Sequence, residues 1–121
     1  MRPLFLLPET TIHRDGAGSE IAIDNNGAPV ALTLGITCIA ERESLDVSIW
    51  GSSDGRQWRQ VAAFPQKFYC GSYSATLDLG RFREVKYLRA QWKIACWGDA
   101  RPLFGFYLFA EEVKLQRAGA A

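Results

Sequence analysis

The sequence is poor in the residues from which metal sites and covalent catalysis are usually built. It contains one histidine, His13, and three widely spaced cysteines with no C-x-x-C pair. Zinc sites need Cys and His at short, regular spacing, so no zinc site is expected. Nothing in the spacing brings a serine or cysteine nucleophile to His13. We therefore expect a protein that is not an enzyme.

Charge of one sign is not in excess either. Lys and Arg number 14 against 13 Asp and Glu, a formal net charge of +1. Proteins that bind nucleic acid usually carry a cluster of excess Lys and Arg residues, so a nucleic-acid partner is not expected. The chain also lacks a glycine-rich phosphate loop and the spacing of an EF-hand. The prediction is no cofactor, with a structural calcium ion at Asp15 or Asp24 as the alternative.

Long hydrophobic runs are missing as well. The apolar run near the N-terminus covers residues 4–7 and lies between two prolines. A membrane helix needs about 20 apolar residues, and a signal peptide needs an apolar region of roughly 7 to 15 residues. The prediction is a cytoplasmic protein with no membrane span. Export without an N-terminal signal, or incorporation into a particle, remains an alternative.

What the sequence does contain is a series of short strand patterns separated by turn residues. With 121 residues and 22% charged side chains, we expect one domain over residues 1–113 and a frayed tail over residues 114–121. No segment longer than about ten residues keeps a helical period. These features predict an all-β fold, an antiparallel β-sandwich with a jelly roll of about eight strands. The strand patterns cover residues 4–7, 21–24, 30–40, 45–50, 57–64, 73–79, 85–95 and 103–112.

The clearest of these patterns is LDVSIWGSSDGRQW, residues 45–58. Leu45, Val47 and Ile49 alternate with polar residues, as in a half-buried strand. The GSSDG segment then concentrates residues that favour a turn. Trp58 follows the turn and is predicted to cover the hairpin, since isolated aromatic residues usually fill apolar surface.

Together with VKYLRAQW and FGFYLFAEEV further along the chain, this hairpin resembles the second half of a discoidin or coagulation-factor type C domain. Those domains belong to the galactose-binding-like jelly-roll class, and the resemblance implies that fold and a carbohydrate-binding module as one possible function. The matching positions are Ser52 or Ser53, Asp54, Gly55, Trp58, Lys86, Tyr87, Leu88, Arg89 and Glu111.

The cysteine positions carry a second set of expectations. Cys38 and Cys96 share the parity of their apolar strand neighbours and are predicted to point inward as small hydrophobic residues. Cys70 lies in a loop beside a glycine and is predicted to be more exposed. The odd number of cysteines favours a reducing compartment. A Cys38–Cys96 disulfide remains an alternative.

Two loops are candidates for binding, because binding residues are often placed on loops. Residues 64–71 are rich in aromatic side chains, and residues 97–102 carry an additional tryptophan. The competing interpretation is that these aromatic residues cap one end of the sandwich, with Arg101 paired to Asp99. The candidate contact residues are Lys67, Phe68, Tyr69, Trp97, Asp99 and Arg101.

The last strand pattern, residues 103–112, is apolar on both parities. A sandwich strand usually buries one face, so the second face needs a cover from a loop, from residues 4–7 or from another subunit. The interface candidates are Trp50, Tyr107 and Phe109. We therefore predict a non-catalytic module that acts through protein–protein contacts, as a homo-oligomer or as an accessory subunit. The alternative is a carbohydrate-binding module of discoidin type that uses aromatic loop residues.

Overall fold

The computed structural model describes residues 3–39, 43–96 and 103–113, with the side chain of Cys96 left out. The predicted tail, residues 114–121, lies outside the described residues. Nine strands are present in the described part: β1 (Leu4–Ile12), β2 (Gly16–Ala17), β3 (Ile21–Ala22), β4 (Pro29–Ile39), β5 (Glu43–Ser52), β6 (Arg59–Ala63), β7 (Gly71–Asp78), β8 (Tyr87–Cys96) and β9 (Phe104–Glu112). One 3₁₀ turn, Leu79–Arg81, follows β7.

The strands form two antiparallel sheets, which confirms the predicted all-β sandwich. In the four-stranded sheet the order is β1-β9-β4-β7. In the five-stranded sheet the order is β2-β8-β5-β6, and β3 also pairs with β8. The strand patterns of the sequence do not include β2, in which Gly16 and Ala17 pair with Trp92 and Gln91 of β8. Two residues are too few for an alternating pattern to be recognised.

The core lies between the two sheets and is built from alternate residues of the long strands. Leu34 of β4, Leu45 of β5 and Phe106 of β9 have no exposed surface. Full burial of each such side chain stabilises the fold by about 1.5–3 kcal/mol. The residues between them therefore project from the two outer faces, where binding surfaces can form.

A β-bulge in β4 changes the environment of Cys38. The pairing of β4 with β9 shifts between Ile36 and Cys38, and a one-residue shift turns the following side chains to the opposite face. Cys38 is consequently an exposed free thiol, so the expectation that it points inward was wrong. Cys70 is an exposed free thiol, as expected. The side chain of Cys96 lies outside the described part of the chain.

Helices are nearly absent from the described residues, and none there has the length and apolar character needed to cross a membrane.

Candidate functional site

The hairpin turn between β5 and β6 is held together by its own side chains. The Ser52 hydroxyl accepts hydrogen bonds from the backbone N–H groups of Asp54 (3.2 Å) and Gly55 (2.8 Å) and donates one to Asp54 Oδ1. Gly55 has a φ of 78°, which a glycine adopts without steric cost. The backbone N–H of Arg56, then that of Gln57, and then the Ser52 hydroxyl lower the pKa of Asp54 below its usual range. The turn is therefore fully explained by local hydrogen bonds.

Trp58 covers this turn and is half-buried. Its indole N–H donates to the Gly55 carbonyl over 3.3 Å, and the Arg89 guanidinium carbon lies 4.4 Å from the centre of its ring. Trp58 immediately precedes β6, and β6 and β8 flank β5, so the contact between Arg89 and Trp58 spans β5. Arg89 Nε is buried and has no hydrogen-bond partner among the described residues. The stacking on Trp58 fixes this guanidinium on the outer face.

A shallow groove lies on the same outer face, beside Trp50, and is called the Trp50 groove below. Its volume is about 250 Å³. Trp50 is half-buried, as expected for a residue on the parity opposite to the core, and its indole N–H donates to Ser48 Oγ over 2.9 Å. That bond holds the ring along β5 and leaves its face as a wall of the groove. The lining consists of Asp46, Val47, Ser48, Trp50, Gln60, Ala63, Phe64, Gln91 and Lys93.

The outer face of the four-stranded sheet carries three aromatic rings, Phe5, Tyr107 and Phe109. The Phe5 ring packs edge-to-face on Phe109, with 5.0 Å between ring centres, and on Tyr107 at 6.0 Å. Phe5 itself is 49% exposed. We refer to these three residues as the aromatic face. The N-terminal strand β1 thus covers part of the second face of β9, as one of the predicted alternatives required, but the Phe5 ring that provides this cover is itself exposed.

Tyr107 lies flat across the backbone of β4. Its Cα is paired with that of Gly35, and a Cβ atom added to Gly35 would overlap the outer edge of the phenol ring. The glycine therefore has a specific packing role, since it allows the ring to lie against the sheet. The Tyr107 ring therefore lies along the outer face of the sheet and does not project from it.

On the side of β4 and β7, the residues beside the aromatic face are small and uncharged, whereas exposed Pro8 and Glu9 of β1 lie opposite Tyr107, between the pairs Leu7–Leu108 and Thr10–Phe106. Phe109 is opposite Thr33, which is opposite Ser74 of β7. Gly35 is likewise opposite Ser72. Acidic residues occur at one end of this sheet, where Glu111 is paired with Ala31 and Asp78 with Pro29.

The loop that begins at Phe64 is partly used for packing. Lys67 pairs with Leu45 through two backbone hydrogen bonds, and its ammonium group lies 4.2 Å from the centre of the Tyr73 ring. Phe68 is 44% exposed and Tyr69 is 77% exposed. The Tyr73 hydroxyl donates to the Tyr69 carbonyl over 2.6 Å, which fixes the backbone of the loop. Phe64 is buried.

The other three predicted loop residues, Trp97, Asp99 and Arg101, lie outside the described residues. Of the interface candidates, Tyr107 and Phe109 lie together on the outer face of the four-stranded sheet, whereas Trp50 lies on the outer face of the five-stranded sheet. The structure therefore does not bring all three together. Sequence reasoning missed Phe5, Gln60, Gln91 and Lys93. Strand parity alone places Gln91 and Lys93 on an outer face, but their position beside Trp50 depends on the register between β5 and β8.

Metal ligands do not cluster in the part of the chain that is described: no group of three or more His, Cys, Asp or Glu side chains is placed to hold an ion there. Asp15, one of the two residues suggested for calcium, accepts a 2.7 Å hydrogen bond from the backbone N–H of Ile94. This carboxylate therefore ties the segment around β2 to β8.

Comparisons of the chain with models of known protein families and with curated proteins find no match.

Proposed function

We propose that the chain is a non-catalytic jelly-roll interaction module that forms a homodimer through its aromatic face. The jelly roll is supported by the strand order. If the short β2 and β3 are taken as one interrupted strand, eight strands remain, and each sheet takes strands from both halves of the chain. Two interleaved Greek keys have this arrangement.

The observation that carries the proposal is the exposed edge-to-face cluster of Phe5, Tyr107 and Phe109 on a sheet face with little charge. Aromatic residues are enriched in the buried centres of interfaces, and charged residues are depleted there. Phe5 is the ring with the most area left to bury, at 49% exposure.

A second copy of the chain is the partner that this surface fits best. In a two-fold dimer each surface patch meets its own copy, so a charge near the axis faces the same charge. On the side of β4 and β7, the residues beside the rings, Thr33, Gly35, Ser72 and Ser74, carry no charge and avoid that repulsion. Glu9, the charged residue opposite Tyr107, belongs to β1 at the edge of the sheet. A two-fold axis that lies between the two facing sheets and runs perpendicular to the strands places the acidic ends, at Asp78 and Glu111, at opposite ends of the dimer.

The size of the surface is adequate for a weak or moderate dimer. Four strands about 4.8 Å apart and eight paired residues at about 3.3 Å each span roughly 19 by 26 Å. That is about 500 Å² of flat area per copy, and side-chain relief raises the accessible area toward the roughly 800 Å² per partner of a standard interface.

Analytical ultracentrifugation of the purified chain tests the proposal, over concentrations from about 1 µM to about 1 mM, where weaker complexes of this area associate. The wild type should change from monomer to dimer within this range. The Phe5→Ser variant should raise the dimer dissociation constant by about tenfold or more, as expected when an aromatic ring that becomes buried in an interface is removed.

The matched control is Tyr69→Ser, which also removes an exposed aromatic ring but lies outside the aromatic face. It should leave the dissociation constant unchanged. Circular dichroism establishes that both variants are folded. A wild type that stays monomeric at every concentration refutes the homodimer, and equal effects of the two variants refute this choice of surface.

A further inference from the structure

The Trp50 groove contains a set of side chains that the dimer does not use. Trp50 and its neighbours lie on the five-stranded sheet, whereas the aromatic face lies on the four-stranded sheet. Trp50 is directly opposite Gln60 of β6 on one side and Arg89 of β8 on the other. One ring face and several polar groups therefore converge on the same small volume.

The polar groups of the groove are available for a ligand. Asp46 is directly opposite Lys93 in the sheet, yet no ion pair joins them in the described structure. Nor do the side-chain amides of Gln60 and Gln91 make a hydrogen bond to any described residue. In contrast, the Trp50 N–H already bonds to Ser48, so the indole contributes its apolar face and no free donor.

The balance of charge and hydrogen-bonding groups indicates the chemistry of the ligand. The charges of Asp46 and Lys93 cancel, so the lining has no net charge, and the Arg89 guanidinium lies over the Trp58 ring and not among the lining residues. The lining therefore does not favour a phosphate or a polyanion. Asp46 accepts hydrogen bonds, Lys93 donates them, and each glutamine amide does both. Neighbouring sugar hydroxyls also donate and accept, while the C–H face of a sugar ring is a flat apolar surface suited to an indole.

We propose that the Trp50 groove binds a neutral oligosaccharide, with one sugar ring on the Trp50 indole and its hydroxyls bonded to Asp46, Gln60, Gln91 and Lys93. The volume of about 250 Å³ is below the roughly 300–1,000 Å³ of pockets that enclose a drug-sized molecule. The groove therefore holds one ring at a time, and the rest of the saccharide extends along the open sheet.

The test is isothermal titration of the full chain with a panel of neutral hexasaccharides, namely cellohexaose, xylohexaose, mannohexaose, maltohexaose and laminarihexaose, and with hexagalacturonic acid as the charged comparison. At least one neutral compound should bind saturably and more tightly than hexagalacturonic acid. Trp50→Ala should weaken that binding at least tenfold, about 1.4 kcal/mol, and Trp50→Phe should retain part of it because a smaller ring remains.

Gln91→Ala provides a second variant in case Trp50→Ala fails to fold, and it should also weaken binding severalfold because it removes one amide of the lining. Tyr69→Ala, an exposed aromatic residue outside the groove, should bind as the wild type does. Repeating the titration with Phe5→Ser separates this proposal from the homodimer, since a monomeric variant should still bind. Absence of binding across the neutral panel, preference for hexagalacturonic acid, or binding unaffected by the groove variants overturns the proposal.

Discussion

The packing of Tyr107 on Gly35 makes a quantitative prediction for the substitution Gly35→Ala. The added methyl group occupies the position of the phenol ring, so Tyr107 must rotate away from β4. The ring then loses its edge-to-face contact with Phe5, about 0.5–1.5 kcal/mol, and exposes roughly 50 Å² of apolar area, about 1.2 kcal/mol. Replacing a strand glycine by alanine returns about 0.5–1 kcal/mol. The expected net loss of stability is about 1–2 kcal/mol.

A double-mutant cycle distinguishes this mechanism from a general intolerance of alanine at position 35. In the Tyr107→Ala background the ring is absent, so Gly35→Ala should be neutral or stabilising by up to about 1 kcal/mol. Urea unfolding, followed by tryptophan fluorescence at a concentration where the chain is monomeric, measures all four proteins. Equal costs of Gly35→Ala in the two backgrounds would show that Tyr107 is not the cause.

Two further predictions concern the hairpin turn. Ser52→Ala should destabilise the fold by about 1–3 kcal/mol in urea unfolding, because the buried hydroxyl accepts hydrogen bonds from two backbone N–H groups. The control is Ser53→Ala, at an exposed position, which should change the stability by less than about 0.5 kcal/mol. Similar losses in both variants would contradict the assigned role of Ser52. The lowered pKa of Asp54 means that its stabilisation is fully present above the ordinary carboxyl pKa of 3.8 and is lost as the pH falls through its lower folded value. An NMR titration of the carboxyl group should give that lower pKa, Ser52→Ala should raise it, and an unshifted wild-type value would contradict the hydrogen-bond assignment.

The sandwich and most of its strands could be predicted because the strand patterns alternate regularly. Leu45, Val47 and Ile49 point inward and Trp50 outward, as the period of two requires. The GSSDG turn could also be predicted, since its hydrogen bonds are local. Cys38 could not, because the bulge that turns it outward depends on pairing with β9, and pairing of distant strands is not encoded in local periodicity.

The candidate surfaces were harder to predict from the sequence, because they too depend on pairing between distant strands. Tyr107 and Phe109 could be named as interface candidates because their strand is apolar on both parities, but that pattern does not show which face points outward, and their contact with Phe5 joins residues more than 100 positions apart. Gln60 of β6 is opposite Trp50 and Gln91 of β8 is opposite Ser48, so only the register of β5 with its two neighbouring strands brings the two glutamines together. Polar side chains on a strand are usually solvated, so neither residue carries a local signal.

The two outer faces of the sandwich point in opposite directions. A homodimer formed through the aromatic face would therefore turn both Trp50 grooves outward, one on each end of a four-layer stack. With sheets about 10 Å apart, the grooves would lie about 30 Å from each other. Such a particle is bivalent. It would crosslink separate saccharide chains more readily than it would bind one short chain at both grooves. Its apparent affinity for a surface of repeated saccharides would exceed the affinity of a single groove.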